Sequence, residues 1–105
     1  MPVKLAHAVV TVESMYNPKV RGKHGEYGLG QILCSTAKGI GFNGKCEQLA
    51  EPATNLNWTM TYLRMALDKA KDNECHAATL YAAGLDRQPG SSSYCKTVLR
   101  KMTAL

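Results

Sequence analysis

Leu56, Met60, Leu63, Leu67 and Ala70 recur at steps of four, three, four and three, which puts them on one face of an α-helix. The spacing predicts a helix over about 53–72, with Asn57, Arg64, Asp68 and Lys71 on the opposite face. Strand signals are scarce. The apolar stretch "VKLAHAVVTV" predicts a helix over about 3–15, which Asn17-Pro18 stops, because proline disfavours α backbone in the residue before it. A second helical signal starts near Tyr27 or Gly28 and breaks near Cys34. Ser35 is placed to cap a short helix, "TAKGI", and a loop marked by Gly39, Gly41 and Gly44 runs to about Pro52. Asn73 is placed to cap "ECHAATLYAA", which Gly84 ends. Ser93 is placed to cap a last helix with Tyr94, Val98 and Met102 on one face. The expected architecture is all-α, a compact single domain of about five or more helices.

At 105 residues the chain has room for one domain, and 45% hydrophobic with 20% charged residues is a globular composition. No apolar run approaches the ~20 residues that span a bilayer, so no stable membrane insertion is expected. The N-terminus lacks the pattern of a signal peptide. Cys34, Cys46, Cys75 and Cys95, spaced by 12, 29 and 20, match no zinc pattern of paired C-x-x-C units. An even set in so short a chain favours disulfides over buried thiols, and with them export to the periplasm or beyond. Three connectivities are open; the sequential one, Cys34–Cys46 with Cys75–Cys95, is expected. His7, His24 and His76 share no metal-ligand spacing, so neither a metal nor another cofactor is expected. A net charge of +5 would attract nucleic acid, anionic lipid or an acidic wall polymer, but the cations occur singly or in short groups. Nucleic acid also fits poorly with disulfides.

Glu13 falls in the last turn of the first helix, where the carbonyl ends disfavour negative charge. It is either a surface residue on a frayed turn or a buried acid that keeps its proton near neutral pH, as acid-assisted C–O cleavage requires. The segment "GEYGLGQI" packs three glycines around one turn. Such glycines let backbone approach a ligand closely, although the order is not that of a phosphate loop. Gln31 offers a donor and an acceptor suited to sugar hydroxyls and amides.

"ESMYNP", followed twelve residues later by "GEYGLGQI", resembles the lytic transglycosylases of the soluble, goose-lysozyme-like type. Their pattern is E-S-x-(aromatic)-N-P, then G-A-x-G-L-M-Q. "STAKGIG", "EPATNLNWTMTYL" and "LYAAG" continue the likeness in the family's order over about residues 5–100. The resemblance implies a lysozyme-like fold acting on peptidoglycan glycan strands. It implies Glu13 as the catalytic acid, Ser14 as a brace, and Gly28, Leu29 and Gln31 as the substrate-groove turn. Tyr81 matches the tyrosine whose hydroxyl lies near the acid, and Asn55 and Tyr62 match supports of the groove helix. The implied reaction is non-hydrolytic: one glutamate acts as acid and then base, leaving a 1,6-anhydromuramic acid end. A monomer is expected, with envelope-spanning machinery a candidate partner.

The chain departs from the family pattern at Gly22 (a serine), Glu26 (an alanine), Gly30 (a methionine) and Ala82 (an asparagine). Two other functions are compatible with the residues. A muramidase would hydrolyse the same linkage and needs a second carboxylate, for which Glu26 and Asp86 are the candidates. A wall-binding module would make no productive use of Glu13.

Overall fold

A computed structural model describes residues 1–104. It contains helices α1 (Val3–Ser14), α2 (Cys34–Gly39), α3 (Pro52–Lys69), α4 (Glu74–Ala83) and α5 (Ser93–Ala104), with a 3-10 turn at Cys46–Ala50 before α3. Among the described residues, β pairing is limited to two isolated bridges, Arg21 with Tyr27 and Tyr27 with Ile32. No helix among them is long and apolar enough to cross a membrane.

The helix ends follow local chemistry. Pro52 opens α3, where its missing N–H costs nothing. The Asn73 side chain accepts from His76 N at 2.9 Å and caps α4. Gly84, at φ +118°, closes it. Two expected caps are displaced, one by two residues and one by a single residue. Helix α2 already includes Cys34, and Leu33 precedes it without a side-chain bond. Helix α5 begins at Ser93 itself, so the capping oxygen is that of Ser92, which accepts from Cys95 N at 3.0 Å.

The helix expected from about Tyr27 is absent. Gly28 and Gln31 take left-handed φ of 59° and 50°, and Tyr27 and Ile32 exchange backbone hydrogen bonds across the turn between them. Glycine weakens a helix, and here it permits a tight turn instead.

Two apolar clusters form the interior. The larger gathers Leu5, Val9, Leu63, Leu67, Leu80 and Val98 from α1, α3, α4 and α5. The smaller gathers Ile32, Ala37, Phe42 and Leu49, with Trp58 packed edge-on against Phe42. The disulfides are Cys34–Cys46, beside the smaller cluster, and Cys75–Cys95, which ties α4 to α5. The inward stripe of α3 is rotated from the expected one. Asn55, Thr59, Leu63, Ala66, Leu67 and Ala70 are buried, whereas Leu56 and Met60 are half-buried.

Candidate active site

Helix α1 delivers Glu13 to a cleft of about 260 Å³. Immediately beyond the helix, Met15 and Tyr16 both adopt left-handed φ, 50° and 62°, so the chain turns sharply away from the carboxylate. The cleft is walled by Glu26, Gln31 and Ile32 on one segment, and by Tyr62, Tyr81 and Ala82 from α3 and α4.

Glu13 is half-buried, and its Oε2 accepts a 2.5 Å hydrogen bond from the Tyr94 hydroxyl of α5. Burial holds its carboxyl above the usual range; the Tyr94 bond pulls it partway back, and the charge of Glu26 adds to the rise. Burial and the nearby Glu13 charge push the phenols of Tyr94 and Tyr81 well above their ordinary value, so both stay neutral donors.

The turn 27–31, of which Gln31 reaches the cleft, is held from below. Asn55, fully buried on α3, uses its whole amide. Its Oδ1 accepts from Gly30 N at 3.0 Å and Thr59 Oγ1 at 3.1 Å. Its Nδ2 donates to Tyr27 O at 2.7 Å and Leu49 O at 2.8 Å. A Cβ on Gly28 would sit 3.0 Å from that Nδ2, and one on Gly30 would sit 2.0 Å from Thr59 Oγ1. Both glycines therefore allow the turn to lie against α3. Ser14 Oγ donates to Leu29 O at 2.8 Å and links the end of α1 to the same turn.

The structure thus brings Glu13, Gln31 and Tyr81 together around the cleft. Gly28 and Leu29 are buried and do not line it. Gln31 Nε2 is committed to the loop, donating to Val20 O at 3.0 Å and Gly28 O at 2.8 Å. Tyr81 senses the Glu13 charge, yet its hydroxyl donates to Gly30 O at 2.5 Å rather than to the carboxylate. The hydroxyl on Glu13 belongs to Tyr94, whose only signal in the sequence is its place on the inward face of the last helix.

The family model described as "Transglycosylase SLT domain" matches residues 1–98. The chain belongs to the transglycosylase SLT domain family. This SLT domain is 33% identical over 93 residues to the soluble lytic murein transglycosylase of Escherichia coli K12, a match covering 83% of the chain and 14% of that protein. The corresponding protein of Salmonella typhimurium is 35% identical over 89 residues, covering 78% and 14%. Among solved structures, the 70-kDa soluble lytic transglycosylase in complex with bulgecin A superposes with a TM-score of 0.76 at 30% identity. That match covers 98% of the SLT domain and 16% of the larger chain. The SLT domain therefore spans about a seventh of the length of the curated relatives it matches.

Proposed function

We propose that residues 1–105 form the catalytic domain of a peptidoglycan lytic transglycosylase, with Glu13 as its acid and base. One observation carries this reading: a half-buried glutamate in a cleft, its carboxyl held above the usual range by burial and fixed by a neutral tyrosine hydroxyl. Family membership supplies the bond and the substrate. Glu13 protonates the oxygen joining N-acetylmuramic acid to N-acetylglucosamine, and the C–O bond breaks as positive charge develops at the anomeric carbon. The substrate's acetamido carbonyl is placed by its own chemistry to share that charge. The resulting Glu13 carboxylate takes the proton of the muramic C6 hydroxyl, whose oxygen closes on the anomeric carbon. No water is consumed.

Tyr94 orients the carboxylate, and Tyr81 with Asn55 holds the turn beside the cleft. Gln31 stiffens the edge of that turn. The cleft is complete within one chain, which suits a monomer. Two disulfides suit the periplasm or the exterior, where the glycan is found.

The test is digestion of purified sacculi followed by mass spectrometry. Glu13→Gln is expected to fold and to lose turnover by about 10²–10⁴-fold. Turnover within about a tenth of wild type would remove Glu13 from the acid role. Anhydro ends, one water lighter than reducing ends, identify the transglycosylase product. Bulgecin A, bound by the structurally similar transglycosylase, is expected to bind the same cleft and to compete with sacculi.

A further inference from the structure

We infer that Glu26 is a second catalytic carboxylate, which activates water in the cleft and sends part of the turnover to hydrolysis. The inference rests on the reading of Glu13 as the acid. Glu26 and Glu13 line one cleft, and the charge of Glu26 helps raise the Glu13 carboxyl, whereas Asp86, the other acidic candidate, is exposed and outside the lining.

The position of Glu26 is built rather than incidental. The two bridges around Tyr27 fold residues 21–32 back on themselves, and Glu26 Oε1 accepts from His24 N at 2.9 Å. A Cβ at residue 22 would lie 2.2 Å from that same Oε1, so the carboxylate rests directly against Gly22. Gly22 and Glu26, both departures from the family pattern, thus lie side by side.

Among the described residues the ion pairs within 4.0 Å are those of Arg64, so no cation contacts the Glu26 carboxylate, although Lys23 and His24 act on it from further off. The neighbouring Arg21 spends its guanidinium on Gly25 O and Glu26 O, each at 3.2 Å, and over the Tyr27 ring. Backbone N–H groups of Glu26 and His24, with the charges of His24 and Lys23, hold the Glu26 carboxyl below the usual range. Glu13 is displaced the opposite way. One cleft thus holds a proton donor and a standing anion, the division of labour that glycoside hydrolysis uses.

In the hydrolytic branch the C–O bond breaks with its electron pair going to the leaving oxygen, which takes the Glu13 proton. Water oxygen bonds to the anomeric carbon, and its surplus proton passes to Glu26. Exchange with solvent restores both carboxyls, and one water is consumed per cut.

The experiment compares soluble products from purified sacculi for wild type, Glu26→Gln and Glu26→Ala, each shown to be folded by circular dichroism. Gln keeps an oxygen for His24 N but cannot accept water's proton. Wild type is expected to release reducing as well as anhydro ends. The ratio of reducing to anhydro ends is expected to fall at least about tenfold in both variants. An unchanged ratio, or wild-type ends that are all anhydro, overturns the role of Glu26 and leaves the transglycosylase reading standing. Reducing ends alone, lost in both variants, would overturn that reading and keep Glu26. No release by wild type overturns both.

Discussion

At neutral pH Glu13, whose carboxyl is raised, is expected to cost the fold stability. Its folded carboxyl binds a proton more tightly than an unfolded one, so the linked stability is full below the ordinary carboxylate range. It is lost as pH rises through the displaced value. Glu13→Gln, which never ionises, is therefore expected to melt at a higher temperature than wild type at about pH 7, the gap shrinking towards about pH 4. Thermal melts across that range check the sign. Tyr94→Phe removes the bond that draws the carboxyl back down, so the alkaline limb of the kcat/KM profile should move to higher pH while kcat falls. An unmoved limb would separate Tyr94 from the acid. The place of Glu13 in the last turn of α1 was legible because its neighbours "SMYNP" mark the turn. Tyr94 was not, because it lies 81 residues away and no local pattern joins the two.

Helix α3 was legible as an element from its period, but its inward face was not. Polar Asn55 and Thr59 occupy the buried stripe, where an apolar count does not look for them, since each is satisfied by partners from distant segments. The turn 27–31 was misread for the same reason. Its local apolar pattern is helical, whereas its backbone is set by Asn55 and by left-handed Gly28 and Gln31. Asn55→Ala strands several buried polar groups, at about 1–3 kcal/mol each, and should lower stability by about 3 kcal/mol or more in urea titrations. Gly30→Ala forces a methyl into Thr59 and should cost about 1–3 kcal/mol as overpacking. It should also reduce turnover, because Gly30 O anchors Tyr81.

At the scale of the molecule, disulfides were legible from an even cysteine count in a short chain, and the sequential pairing, expected among three open connectivities, is the one found. The division of the interior into two clusters was not legible, since it depends on which distant apolar groups meet. Cys75–Cys95 closes a loop of 20 residues within the larger cluster. Replacing both cysteines with alanine should cost about 3 kcal/mol by the chain-entropy argument, read from denaturant midpoints against wild type. The cleft opens where the clusters meet, and Tyr62 packs at the fringe of both while forming part of its wall. On the proposed function, a glycan strand seated there would act as a strut between the two halves. A ligand that fills the cleft binds the folded state alone, so melting in its presence is expected to need a higher temperature.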